Sequence, residues 1–128
     1  MTSDETKPRG YKDLLVWQKG IALVKRTYQI SQTLPGDEKF GLASQMRRAA
    51  VSIPSNIAEG QARHTTGEFI QFLSHAEGSL AELDTQLIIA VELGYRTDSE
   101  VHDALELISE LRKMLNALRR KLVVKTVK

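Results

Sequence analysis

The chain has 128 residues, of which 41% are hydrophobic and 27% charged, with no cysteine and a formal net charge of +2 at pH 7. This length suits a single domain with its own core, and the lack of cysteine excludes a disulfide framework or a cysteine-ligated zinc site. The polar start resembles no signal peptide, and the longest apolar run, residues 87–91, is too short to span a bilayer. We therefore expect a cytoplasmic protein with no membrane partner.

Hydrophobic periodicity predicts helices throughout the middle of the chain. We expect a disordered tail over residues 1–10, a four-helix bundle over residues 11–124 and a basic C-terminal tail over residues 125–128. The first helix is predicted over residues 11–32, because apolar side chains recur there at steps of three and four. The predicted core stripe of this helix consists of Leu14, Trp17, Ile21, Val24 and Tyr28.

Turn and capping residues separate the other predicted helices. Proline disfavours helix in the residue before it, so Pro35 ends the first helix, and the second is predicted over residues 37–62 with a bend at Pro54. Thr65 with Glu68 and Thr97 with Glu100 form capping boxes that start the third and fourth helices. Short loops make consecutive helices antiparallel neighbours. The predicted fold is all-α, an up-down-up-down antiparallel four-helix bundle.

The second helix carries three different faces at about 100° per residue. One is an apolar arc for the core, and beside it runs a polar stripe. The third side is small and apolar, which indicates a second packing partner, and a further copy of the chain is the simplest one. The polar stripe is Gln45, Arg48, Ser52, Asn56, Glu59 and Arg63. The predicted oligomer interface is Ala43, Arg47, Val51, Pro54, Ala58, Ile70 and Ile88.

Basic side chains gather toward the C-terminus, where residues 112–128 contain seven of them and no acidic one. In an up-down bundle they lie at the same pole as Lys7, Arg9 and Lys12. Compensation of the helix dipole is one explanation for this. The other is a surface that binds the phosphates of RNA or DNA without regard to sequence. The predicted nucleic-acid contacts are Lys12, Arg119, Arg120, Lys121 and Lys125.

The polar stripe also has two interpretations. Arg48 would pair with Glu77 at the edge of the core, while Asn56 and Glu59 satisfy backbone groups freed by Pro54. Alternatively, the stripe faces a ligand or a neighbouring subunit. Catalytic and metal sites have little support, because His64, His75 and His102 are scattered and lack the i, i+4 pairing seen in helical metal motifs. We expect no enzyme activity, no metal and no cofactor.

Several segments resemble one bacterial family. They are the run from Leu42 through Gln45, Arg48 and Asn56 to Gly60, together with Leu15-Val16-Trp17-Gln18, the segment Gly78 to Leu87, and Leu93-Gly94-Tyr95. This pattern is similar to that of the four-helix-bundle proteins related to the large-subunit rRNA intervening-sequence protein, and it covers residues 11–122. The resemblance implies a bundle that assembles as a homopentameric ring, without known catalytic residues. More distantly, it extends to the accessory proteins of diversity-generating retroelements, which are basic pentamers that bind nucleic acid.

The sequence thus favours a non-enzymatic, oligomeric four-helix bundle that serves as an RNA- or DNA-binding scaffold through its basic pole. The alternative is a protein–protein adaptor with no nucleic-acid role.

Overall fold

The structure is a computed structural model. The part of the chain that it describes consists of helices joined by turns and loops, with no strand. That part is residues 10–127, with side chains through Val124. The helices are α1 (Leu15–Gln32), α2 (Leu42–Gln61), α3 (Thr66–Glu92) and α4 (Asp98–Val127). Helices α1 and α3 each pack against both α2 and α4, which is consistent with a bundle. The all-α prediction is confirmed. Because α4 runs to Val127, the backbone of residues 125–127 continues the helix.

Both predicted threonine caps form, and the capping box is complete at the start of α4. At the start of α3, the Glu68 backbone N–H donates to the Thr65 hydroxyl over 3.1 Å. At the start of α4 the exchange is reciprocal, because Glu100 N donates to Thr97 Oγ1 over 3.3 Å and Thr97 N donates to Glu100 Oε1 over 2.8 Å. Gly94 follows α3 with a φ of 78°, in the left-handed region that glycine adopts without strain.

The first two helices begin later than predicted. A 3-10 turn at Tyr11–Asp13 and an extended Leu14 precede α1. A second 3-10 turn, Gly36–Glu38, precedes α2, which begins at Leu42 instead of residue 37. The reason is local, since the Glu38 carboxylate folds back to accept the Leu42 N–H over 3.0 Å and so caps α2.

The core confirms the apolar arc predicted for α2 but not the stripe predicted for α1. Helix α1 turns Val16, Leu23 and Ile30 inward, together with the small or polar Gly20, Thr27 and Ser31. Thr27 is satisfied within the core, because its hydroxyl donates to the Leu23 carbonyl over 2.8 Å. The predicted core stripe of α1 therefore lies at the edge of the core or outside it. Trp17 is half-buried, and Ile21 and Tyr28 are exposed.

Helices α2 and α3 approach each other closely at Gly60. A Cβ at this position would lie 2.7 Å from the Phe72 Cβ and 2.9 Å from the Phe69 Cδ1, closer than carbon atoms can pack. The glycine of the Asn-Ile-Ala-Glu-Gly segment is thus required by helix packing.

We expect Gly60→Ala to lower the free energy of unfolding by about 1–3 kcal/mol, because the added methyl forces the two helices apart. Gly78→Ala is the matched control, since a Cβ at Gly78 of α3 meets no atom within 4 Å. This control should raise stability by about 0.5–1 kcal/mol through its better helix propensity. Urea unfolding measures both changes. A pair of variants with equal effects would contradict the close approach at Gly60.

Candidate functional site

The outer side of α1 and α2 carries an apolar groove of about 280 Å³. Its main lining is Tyr11, Trp17, Ile21, Val24, Val51 and Pro54, with Ser55 and Ala58 beside them. The stripe of α1 that periodicity assigned to the core supplies one wall of this groove, and the small apolar side of α2 supplies the other. Val51, in the wall of the groove, is 41% exposed. The folded chain therefore presents an apolar outer face.

Two of the predicted interface residues are buried within the folded chain. Ala43 is buried in the core. Pro54 is buried against Gly20 of α1, so close that a Cβ at Gly20 would lie 3.3 Å from the Pro54 Cβ. Both side chains therefore pack within the chain, although Pro54 also borders the apolar groove, and their place in a contact between copies stays a prediction. Val51 and Ile88 are exposed, and the remaining predicted residues, Arg47, Ala58 and Ile70, are half-buried.

Beside the groove lies a second depression of about 630 Å³, which we call the cationic hollow. Tyr28, Lys39, Phe40, Arg47, Arg48 and Val51 line it, and its other lining residues, Ser44 and Ser52, are uncharged. Three cations thus meet with no carboxylate in the lining. Phe40 projects from the loop before α2 and is 89% exposed. The sequence analysis missed Phe40 and Lys39, although a lone aromatic beside a cation in a polar loop is an available signal.

Arg47 is the positioned cation of the hollow. Its Nε donates to the hydroxyl of the buried Ser31 over 2.8 Å, and its guanidinium lies 4.9 Å from the centroid of the Tyr28 ring. Ser31 in turn donates to the Tyr28 carbonyl over 3.2 Å. Arg48, one residue on, is exposed and has no acidic partner within the described part of the chain.

The predicted Arg48–Glu77 pair does not form. Glu77 instead pairs with Arg119 of α4, whose guanidinium also donates to the Ser74 hydroxyl over 3.4 Å. The prediction failed because it considered only the α2–α3 hairpin, whereas α4 packs on the other side of α3. The pair is sheltered, with side-chain exposures of 23% for Glu77 and 26% for Arg119. The Arg119 side chain therefore joins α4 to α3 within the fold.

The rest of the polar stripe is largely satisfied within α2 and α3. Ser52 donates to the Ala49 carbonyl over 2.8 Å and also contacts Ser79 of α3, and Asn56 donates to the Ser52 carbonyl over 2.7 Å. The carbonyl that loses its N–H partner to Pro54 is that of Ala50, four residues earlier, and these bonds reach Ala49 and Ser52 instead. Glu59 lies 3.7 Å from Arg63 in an ion pair one turn away.

Arg63 and Gln45 complete the stripe. The Arg63 guanidinium packs over the Phe72 ring at 4.6 Å from its centroid, and Gln45 is exposed.

The predicted nucleic-acid contacts have different environments. Lys12, Arg120 and Lys121 are exposed, and none of them has an ion-pair partner within the described residues. Arg119 is held by Glu77. The side chain of Lys125 lies outside the described side chains, and Lys7, Arg9 and Lys128 lie outside the described residues.

One polar contact joins the loop before α2 to the loop after α3. The Tyr95 hydroxyl donates to Glu38 Oε2 over 2.8 Å, while the Leu42 N–H occupies Oε1. The Leu42 N–H and then the Tyr95 hydroxyl lower the pKa of Glu38, and hydrogen bonding to Glu38 raises the pKa of Tyr95. The Thr97 N–H likewise lowers the pKa of Glu100. These shifted carboxyl groups cap helices.

Acid should weaken the Glu38 contact. Because folding lowers the pKa of Glu38, the unfolded chain binds the proton more readily, so the contribution to stability is present above the ordinary pKa of 4.5 and is lost as pH falls through the folded pKa. We expect Glu38→Gln to reduce the loss of unfolding free energy between about pH 6 and about pH 3. The matched control is Glu82→Gln, an exposed glutamate of α3. Urea unfolding across pH measures both, and identical pH profiles for wild type and Glu38→Gln would contradict the assignment.

Two further classes of site are missing from the part of the chain that the structure describes. It contains no cluster of three histidine, aspartate or glutamate side chains placed to hold a metal ion. None of its helices is long and apolar enough to cross a bilayer.

The chain is similar to known proteins in sequence and in fold. Residues 12–117 match the family of the 23S rRNA-intervening sequence protein. No curated protein matches the chain. A solved structure from Bacteroides thetaiotaomicron VPI-5482, a protein of unknown function from the S23 ribosomal protein family, superposes with a TM-score of 0.77 at 22% identity, over 82% of this chain and 98% of that one. That likeness supports the fold.

Proposed function

The chain belongs to the family of 23S rRNA-intervening sequence proteins, and we propose that it is a non-enzymatic scaffold of the cytoplasm that self-assembles and binds nucleic acid. The observation that carries the assembly is the outward apolar groove of α1 and α2. Leaving Trp17, Ile21 and Val51 in water costs the hydrophobic free energy that a second copy would recover.

We propose that the assembly is a ring, with the five copies that the family resemblance implies. Ring closure requires two different surfaces on each copy, one meeting the other on the next copy. The groove is one candidate. Exposed Ile88, Ile89 and Leu93 on α3 supply an apolar surface on another side of the protomer and are the other candidate.

The helices in this proposal run up and down in alternation. Contacts between α1 and α4 support that topology, because a late position of α1 lies beside an early position of α4. Arg26 of α1 lies 2.9 Å from Asp103 of α4, and Lys19 lies 3.2 Å from Glu110, so the numbering rises along α4 as it falls along α1. Such a bundle brings Lys12 to the pole of Arg120 and Lys121.

The proposed nucleic-acid surface is this basic pole, with Lys12, Arg120 and Lys121 as the phosphate contacts. Their support is exposure together with the lack of a described acidic partner. Repetition around a ring would multiply a modest charge per protomer into a strong anion-binding surface.

Two measurements on the wild-type chain test the proposal. Analytical ultracentrifugation at micromolar concentration should find a discrete species that is a multiple of 14.3 kDa. Filter binding to duplex RNA or DNA should weaken with salt, with a slope of log K against log[salt] of about −3 for each bound protomer, whatever the sequence. Only the monomeric mass would refute assembly. Absent or salt-independent binding would refute the nucleic-acid role.

A protein–protein adaptor is the second candidate, favoured by the same exposed apolar surface on α3. Charge reversal separates the two, because Arg120→Glu with Lys121→Glu should abolish nucleic-acid binding and leave an adaptor's partner binding intact. Lys25→Glu is the matched control, an exposed cation of α1.

A further inference from the structure

We infer that the cationic hollow is a binding site for single-stranded nucleic acid, in which Phe40 stacks on a base while Arg47 and Arg48 hold the phosphates. This site is separate from the basic pole. The inference rests on the proposed function and adds that the protein prefers single-stranded to duplex nucleic acid. Substitutions in the hollow test it separately from the pole.

The charge of the hollow points to an anionic ligand. Lys39, Arg47 and Arg48 converge with no carboxylate in the lining. Arg47 is already oriented, because its Nε donates to Ser31 and its guanidinium packs against the Tyr28 ring. Its Nη1 and Nη2 have no partner among the described residues and could donate to a phosphate. A guanidinium offers the paired donors that phosphate oxygens accept.

The exposure of Phe40 points to a base. A phenyl ring that is 89% exposed gains nothing from the core of its own protomer. Proteins that bind single strands combine cations along the backbone with aromatic rings under the bases. Bases stacked within a duplex offer no free face to such a ring, so the hollow should favour a single strand.

A smaller depression borders the hollow. It has a volume of about 260 Å³ and shares Lys39 and Arg47 as lining residues. A strand that occupied both depressions would therefore pass these two cations.

A second copy of the chain fits the hollow less well than it fits the apolar groove. Burying three cations in a contact between copies is unfavourable unless the neighbour supplies matching carboxylates. The groove next to it presents Trp17, Ile21 and Val24 with no charge in the lining. We assign the groove to assembly and the hollow to the ligand.

The test measures binding of the full-length chain by fluorescence anisotropy. The probes are a labelled mixed-sequence RNA strand of about 12 nucleotides, an abasic strand of equal length, and the matching duplex. We expect the strand with bases to bind most tightly. Phe40→Ala should weaken that complex by about 5- to 100-fold and leave the abasic complex unchanged, whereas Phe40→Tyr should retain affinity.

Cation variants complete the design. Arg48→Ala should weaken binding of both strands, and the control Lys25→Ala, which removes the same charge from an exposed site on α1, should change neither by more than about twofold. Leu15→Ala, which shortens another exposed large apolar side chain outside the hollow and both proposed ring surfaces, is the control for Phe40.

Three results would overturn the inference. One is an equal effect of Phe40→Ala on the strands with and without bases, including no effect on either. Another is tighter binding of the duplex than of the single strand. The third is a changed sedimentation coefficient for Arg48→Ala or Phe40→Ala without nucleic acid, which would assign the hollow to a contact between copies.

The pole variants separate this site from the proposed function. Loss of binding in Arg120→Ala with Lys121→Ala, with inert hollow variants, refutes the hollow and supports the pole. The reverse pattern refutes the pole and supports the hollow.

Discussion

Val51→Asp is expected to dissociate the proposed assembly into single chains of 14.3 kDa. Val51 lies in the wall of the apolar groove and also touches the hollow, so contact with a second copy would desolvate the new carboxylate. We expect each contact to weaken by roughly 3 kcal/mol, or more than about a hundredfold. The protomer itself should stay folded, because Val51 is 41% exposed and no core side chain changes. Sedimentation velocity gives the mass, and circular dichroism checks the helices.

The control for this variant is Val124→Asp. Val124 is 60% exposed on α4, where the proposed assembly uses no contact. Its sedimentation should match the wild type. Ile88→Asp tests the other proposed surface of the ring and should dissociate it as Val51→Asp does, because a ring fails when either of its two surfaces is lost. An unchanged oligomer in Val51→Asp would show that the groove is not buried by assembly.

Arg119→Ala and its neighbour Arg120→Ala should have opposite consequences. Arg119→Ala leaves the sheltered Glu77 carboxylate without its cation, so we expect a loss of roughly 1–3 kcal/mol in the free energy of unfolding. Arg120 is exposed and unpaired in the described region, so its replacement should stay within about 0.5 kcal/mol. Binding should reverse this order, because Arg120→Ala lowers the salt slope by about one and Arg119→Ala leaves it unchanged.

A double-mutant cycle with Glu77→Ala isolates the contact. If the pair stabilises the fold, Arg119→Ala should cost much less in the Glu77→Ala background than in the wild type. Equal costs in the two backgrounds would mean that Arg119 acts through its aliphatic stem or through Ser74 instead.

The start of a helix could be predicted from the sequence where a capping box marks it. The Thr65 and Thr97 caps lie within four residues of their partners, so the sequence places the starts of α3 and α4 correctly. The start of α2 was missed although its cap is equally local, because Glu38 caps the helix from the preceding 3-10 turn and not through a capping box. The orientation of that carboxylate depends on Tyr95, which is distant in sequence.

The candidate site was harder to read. Periodicity identified both apolar stripes of α2, but in α1 it selected the larger of two stripes as the core. The buried stripe contains Gly20, Thr27 and Ser31, which look like surface residues until their packing and hydrogen bonds are known. The exposed aromatic Phe40 likewise belongs to no helix whose periodicity could have marked it.

The sequence by itself determined the helical class, the core face of α2 and the capping of the last two helices, because these depend on residues within a turn or two of one another. Only the tertiary structure decided which side of α1 faces inward, that Glu77 takes its cation from α4 and so leaves Arg48 free, and that three cations meet beside Phe40. Those outcomes depend on how helices distant in sequence are rotated against each other. Rotation about a helix axis is set by the sum of all contacts between neighbours, which no single helix encodes.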